Sequence, residues 1–193
     1  MVSKGILTVY FSRLSLLFKW PRSYQSPKEK KSRNIGPDPC MIYPCGFMDG
    51  ASNCMLAGAG YCIYINELHC LEFSLGVGYG TNTKAELLSL WAILYSSQMM
   101  GIPLAHVYGD SQVIINWALG STVLSPPDLF HWCWETKKLI ASFQELSVSH
   151  IYREHNWKAD RLSKIALSYP QGKGSFQEYF ENHLVSQDSF QPF

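Results

Sequence analysis

Acidic residues are missing from the first twenty-eight positions of this 193-residue chain, and no CxxC pair occurs among its six cysteines. No apolar run reaches the roughly twenty residues that a bilayer span requires. Each absence excludes something. Without CxxC pairs, Cys40 and Cys45 have no matching second pair to build a zinc ribbon, and Cys54, Cys62, Cys70 and Cys133 are too scattered to supply one. An even cysteine count does not make a disulfide framework in a chain of this length, so a reducing, intracellular setting is expected. Ile6 to Trp20 is apolar but broken by Arg13 and Lys19, and no small-residue cleavage site follows. A secretory signal and a membrane partner are therefore not expected. The acid-free start, with its Ser, Arg and Lys, is compatible with an organellar transit peptide and equally with an untargeted remnant of a longer reading frame. Nucleus or cytoplasm is the expected compartment.

What is present is a globular composition: 47% of residues are hydrophobic and 16% charged, enough apolar mass for one full core. The formal net charge of +1 says little about a polyanionic partner, but its distribution is uneven. Lys4, Arg13, Lys19, Arg22, Lys28, Lys30, Lys31 and Arg33 face only Glu29 and Asp38 in the first forty residues. Ser23 to Asp38 has the composition of a solvated linker. Residues 1–40 are therefore expected to be a basic, disordered segment, residues 41–170 the folded domain, and residues 171–193 a tail without periodicity.

Within the domain, Phe47 to Asp49 predicts a first strand. Gly58 to Ile65 and Leu68 to Val77, joined at Asn66-Glu67, predict a hairpin. Thr81-Asn82-Thr83 offers capping groups to a helix over Ala85 to Gln98, which Gly101 and Pro103 end. Leu104 to Tyr108 predicts a short buried strand, Gln112 to Leu119 and Leu129 to Phe143 helices, Ser147 to Tyr152 a strand and Trp157 to Ser168 a closing helix. The order β-β-β-α-β-α-α-β-α predicts a five-stranded mixed sheet, three antiparallel strands then parallel ones, with helices on both faces.

Four carboxylates stand out because their surroundings are apolar: Asp49, Glu86, Asp110 and Asp160. Each has an ordinary explanation, as a turn aspartate before Gly50, a boundary glutamate at the edge of a helix stripe, a strand-end residue and an N-terminal helix acid. Asp49 and Asp110 nevertheless sit near the carboxyl ends of strands, where open α/β sheets place their ligand crevice. Four acids that meet there make a site for hard divalent cations, which take oxygen ligands.

Phe-Met-Asp49-Gly-Ala-Ser, Thr81-Asn82-Thr-Lys-Ala85-Glu86-Leu, Gly109-Asp110-Ser111-Gln and Asn156-Trp-Lys-Ala159-Asp160-Arg-Leu162-Ser resemble, in order and spacing, the successive motifs of the ribonuclease H family. The likeness covers about residues 42–170 and is strongest to the plant domains of that family found in non-LTR retroelement polyproteins. It implies an RNase H-like fold and a metal-dependent endonuclease that hydrolyses the RNA strand of an RNA/DNA hybrid. By that resemblance Asp49, Glu86, Asp110 and Asp160 would ligate two Mg²⁺ ions, with Mn²⁺ as the alternative, and His155 would stand for a loop histidine that assists proton transfer. Asn82, Ser52, Ser111, Asn156 and Lys158 would contact nucleic acid, Asn82 in the minor groove where the 2′-hydroxyls lie. The family's basic protrusion has no counterpart in Ser121 to Asp128, which leaves Lys137, Lys138, Arg153, Lys158 and Arg161 as phosphate contacts. A nucleic-acid-binding module with weak or no catalysis, and a decayed retroelement fragment, are the competing expectations. The chain is expected to be a monomer without an obligate protein partner.

Overall fold

The computed structural model describes residues 41–54 and 56–190, so the basic segment expected over residues 1–40 lies outside the described residues. Strands β1 (Cys45–Asn53), β2 (Leu56–Tyr64) and β3 (His69–Tyr79) form an antiparallel meander. The β2–β3 turn closes as its sequence predicts: Asn66 Oδ1 accepts hydrogen bonds from the backbone of Leu68 and His69 at 2.9 and 3.0 Å. Helix α1 (Asn82–Met100) follows, then β4 (His106–Gly109), α2 (Gln112–Ala118), α3 (Phe130–Ser142), β5 (Ser147–His150) and α4 (Trp157–Ala166). Thr81 caps α1 by accepting from the Lys84 backbone, and Gly101 ends it at a φ of 69°. That left-handed conformation is cheap only for glycine.

The mixed sheet is as expected in type, with β4 parallel to both β1 and β5, but it has seven strands in the order β5-β4-β1-β2-β3-β6-β7. The two beyond the expected five are β6 (Gly174–Phe180) and β7 (His183–Phe190), which lie in the segment expected to be a tail. Residue β6 Phe176 is 4% exposed because its ring packs at 5.0 Å on Phe73 of β3, which converts weakly patterned sequence into an added strand.

Successive side chains of β1 point to opposite faces, and the two faces carry separate cores. Met48 belongs to the larger core, under α1, α2 and α3. Cys45 and Phe47 belong to the smaller one, with Cys62, Tyr108, Ala159 and Leu162 beneath α4. Asp49 shares the parity of Phe47 and so faces α4. Helix α1 is buried nearly all round, and its serines are tolerated because their hydroxyls find carbonyls: Ser89 donates to Gly60 at 2.8 Å and Ser97 to Ile93 at 2.7 Å. Among the described residues no helix is long and apolar enough to cross a membrane.

Candidate active site

The β1–β4 pairing sets the position of the first two acids. Strand β1 continues to Asn53, so Asp49 does not end it, but the parallel register with β4 stops at Met48 opposite Gly109. Asp49 and Asp110 are therefore the first residues beyond the paired segment, at the carboxyl end of the parallel β1–β4 register. Two glycines let the helices close on this point. A Cβ at Gly50 would lie 2.1 Å from the Glu86 backbone nitrogen, so α1 can deliver Glu86 against β1 only where that side chain is missing. A Cβ at Gly60, the β2 partner of Asp49, would lie 2.1 Å from the Ser163 backbone nitrogen. Helix α4 thus rests directly on the sheet, with Asp160 in its first turn.

All four carboxylates line one cleft of about 250 Å³, together with Gly50, Ala51, Ser52, Asn82, Arg153, Lys164 and Leu167. Asp49 is only 7% exposed. Its acid is pushed up to about 6, chiefly by burial; the Ser163 hydroxyl, 2.6 Å from Oδ2, pulls it back down, while the charges of Asp110 and Asp160 raise it further. Glu86 is pushed up to about 7, again chiefly by burial and by the charges of Asp49 and Asp110, against hydrogen bonds from Ser111 and Asn82. Asp160 behaves oppposite to these two. Burial would raise it, but Lys164 Nζ and Arg153 Nη2 each donate to it at 2.6 Å and hold it below the usual carboxylate range.

These shifts predict the pH dependence of stability. Raised acids favour the folded state below their unfolded values near 4, and that contribution is lost as pH climbs through about 6 and 7. The lowered Asp160 acts in the other direction, contributing stability above pH 4 that is lost on acidification. Melting in chelator should therefore show a midpoint that falls between pH 5 and pH 7.5, and a midpoint that rises across that window would contradict the burial of Asp49 and Glu86.

The donor set suits a hard divalent cation: four carboxylates in one cleft, two of them raised in part by neighbouring negative charge that a cation would relieve. Among the described residues, no three acid, His or Cys side chains already stand in the arrangement that closes round one ion. Both Asp160 oxygens are turned onto Arg153 and Lys164. Side-chain movement at Asp160 would be part of any cation binding there.

The other expected site residues divide. Asn82 is exposed in the cleft and donates through Nδ2 to Glu86 Oε1 at 2.7 Å. Ser52 lines the cleft too, and Ser111 sits at the start of α2 but serves Glu86 with its side chain. His155 lies on the 3-10 turn Arg153–His155 and does not line the cleft. Two of the expected nucleic-acid contacts have partners within the chain. Asn156 is 1% exposed, and its Nδ2 ties the Met48 carbonyl at 3.0 Å to Asp110 Oδ1 at 2.9 Å, so it braces the site from inside. Lys158 is drawn instead to Glu72, an acid 4% exposed on β3, at 3.1 Å, with Arg161 on the same carboxylate at 2.6 Å. Of the five cations considered for phosphate, Arg153 alone lines the cleft; Lys137 donates to the Trp117 and Ala118 carbonyls and Lys138 pairs with Glu135. Ser163 and Lys164 were not singled out from the sequence as site residues, and their roles depend on where α4 lands.

Comparison with known proteins bears on the family and the fold. A family model described as reverse transcriptase-like matches residues 51–166, beginning two residues after Asp49 and including Glu86, Asp110 and Asp160. Ribonuclease HI of Halobacterium salinarum is 31% identical over 91 residues, 47% of this chain and 46% of that protein, so the chain spans about half the length of the curated relative it matches. The crystal structure of RNase H1 from the same archaeon has a TM-score of 0.58 at 27% identity, covering 64% of this chain and 96% of that one. LC11-RNase H1 in complex with an RNA/DNA hybrid gives 0.56 at 27% identity, covering 64% and 95%; the same protein was isolated from compost by a metagenomic approach. The mixed sheet and its helices are thus an RNase H fold.

Proposed function

The chain belongs to the reverse transcriptase-like family, and from that premise we propose that it is a metal-dependent endonuclease acting on the RNA strand of RNA/DNA hybrids, derived from a plant-type non-LTR retroelement. One observation carries the reading: four carboxylates from β1, α1, the β4 end and α4, up to 111 positions apart, meet in a single cleft. The likeness to proteins described as RNase H1, one of them bound to a hybrid, supports it.

Asp49, Glu86, Asp110 and Asp160 would hold two Mg²⁺ ions, or Mn²⁺. Bound there, divalent cations lower the pKa of an attacking water and stabilise charge on the phosphate and the departing oxygen. The chain's own residues do the remainder. Gly50 and Gly60 bring two helix backbones against the sheet, so Asp49, Glu86 and Asp160 are held by rigid elements, while Asp110 sits in the two-residue link between β4 and α2. Asn156 fixes Asp110 relative to β1. Asn82, exposed at the mouth, positions Glu86 and presents an amide to the shallow minor groove of an A-like duplex, where a 2′-hydroxyl distinguishes RNA from DNA. Arg153 and Lys164 are the cations nearest to an incoming phosphate. His155 would reach a product phosphate or leaving oxygen only if its turn swings toward the cleft.

A second reading, a hybrid-binding module with slow hydrolysis, is favoured by one specific feature, the capture of both Asp160 oxygens by Arg153 and Lys164. An assay of the full chain separates the two. With a labelled RNA/DNA hybrid and Mg²⁺ or Mn²⁺, the enzyme cuts the RNA strand internally and leaves single-stranded RNA and duplex DNA intact. Binding of the hybrid without cleavage would establish the module, and neither binding nor cleavage would overturn both.

A further inference from the structure

Most serines in the helices of this chain return their hydroxyl to a carbonyl of the preceding turn. Ser96 and Ser97 both donate to the Ile93 carbonyl, Ser142 to Leu139 and, just beyond the end of α4, Ser168 to Ile165. This is the local bond that a serine makes in a helix unless something stronger is in reach. Ser163 has the local option, the Asp160 carbonyl at 2.9 Å, but its Oγ also lies 2.6 Å from Asp49 Oδ2, across 114 positions of sequence. A hydroxyl has one proton to give. A bond to a carboxylate is shorter and about twice as strong as one to a neutral carbonyl, so the proton goes to Asp49.

The setting makes that bond an orienting one. Ser163 is fully buried and Asp49 nearly so, which leaves little water to compete for either partner. Gly60, directly across from Asp49, removes the side chain that would otherwise separate α4 from the carboxylate. Gly58 does the same one step along β2, where a Cβ would lie 2.5 Å from the Ser163 carbonyl oxygen. The serine backbone is thus clamped to the sheet on both sides of its Cα, which fixes the point from which its hydroxyl reaches Asp49.

We propose that Ser163 is a positioning residue for the cation site, its buried hydroxyl holding Asp49 by Oδ2 so that the rest of that carboxylate is presented to the cleft. The proposal rests on the cation-binding role assigned above to Asp49 and adds to it the group that orients this ligand. Outer-shell partners of metal ligands fix ligand orientation, and their loss costs about 10- to 100-fold in metal affinity. Ser163 touches neither cation nor nucleic acid and acts through Asp49.

The test is Mn²⁺ binding to the full chain by titration calorimetry without nucleic acid, with melting in chelator as the measure of folding. Ser163→Ala should weaken Mn²⁺ binding about tenfold. Ser163→Cys, similar in size but a weak donor, should weaken it to a similar extent. Both melting midpoints should stay within about 4 °C of the parent. If both variants bind Mn²⁺ as the parent does, the role of Ser163 is overturned while the cation site and the nuclease reading stand. If the cysteine variant binds normally and the alanine variant does not, filled space and not the donated proton is what matters, and the proposal falls. A parent chain that takes up no Mn²⁺ would remove the cation assignment itself and this proposal with it.

Discussion

Replacing Asp110 by Asn should lower hydrolysis of an RNA/DNA hybrid by more than about a hundredfold, because loss of a partner one shell further out already costs 10- to 100-fold. The fold should survive the change. Asn156 Nδ2 donates to Asp110 Oδ1 at 2.9 Å, and an asparagine at 110 can turn its amide oxygen to the same donor, so the brace between β4, β1 and the start of α4 is kept. Asp110 is one source of the negative charge that raises both Asp49 and Glu86. Removing that charge lets both acids ionise more readily and should leave the melting midpoint in chelator unchanged or slightly higher. Single-turnover cleavage and melting, run on the same preparation, check both halves. A variant that cuts at the parent rate would mean that Asp110 is not part of the chemistry. A variant that unfolds would mean that its charge supports the fold, contrary to the electrostatics of the cleft.

Why Asp110 was legible in the sequence, and other site residues were not, follows from where each one's constraint originates. Asp49 and Glu86 are each a charge set among apolar neighbours, Asp110 follows a strand end and Asp160 sits in the first turn of a helix, and the meeting of the four follows from strand order. The β1–β4 parallel register then brings Asp49 and Asp110 to the same level, as the β-α-β connection implies. Ser163 carries no such local mark. A serine on a helix is commonplace, and only the approach of α4 to Gly60 turns it toward Asp49. The partners that hold Lys158 and Asn156 were hidden for the same reason. Glu72, on a strand eighty-odd positions earlier, draws Lys158 and Arg161 to itself because an acid 4% exposed is costly without partners. Asn156 is pulled inward because a strand carbonyl and Asp110 need its amide. Strands β6 and β7 were missed because β6 buries one aromatic, Phe176, while Ser175, Gln177 and Glu178 are half-covered and Phe180 is exposed. A strand joining a sheet near its edge needs little apolar pattern of its own when a preformed neighbour such as β3 supplies the hydrogen bonds.

The second large effect concerns a residue with no side chain. Gly50→Ala should cost about 3 kcal/mol, near the top of the range for forcing an extra methyl group into packed structure. For a chain of this size that corresponds to a melting midpoint lower by roughly 6 to 12 °C. The added Cβ would lie 2.1 Å from the Glu86 nitrogen, 2.4 Å from the Ala85 carbonyl carbon and 2.6 Å from the Glu86 Cα. All three are backbone atoms in the first turns of α1, so no rotamer change can clear them and the helix must move. Because Ala85 and Leu87 are fully buried on either side of Glu86, that movement also disturbs the larger core. It carries Glu86 away from Asp49, and activity should fall further than the lost stability explains, with a deficit that persists at temperatures where the variant is fully folded. Gly101→Ala is the matched control. Its Cβ meets nothing within 4 Å, so its cost comes from the left-handed φ of 69° alone, and it should lose stability without the excess loss of cleavage. Equal activity per folded molecule in the two variants would show that contact between α1 and β1 does not position Glu86.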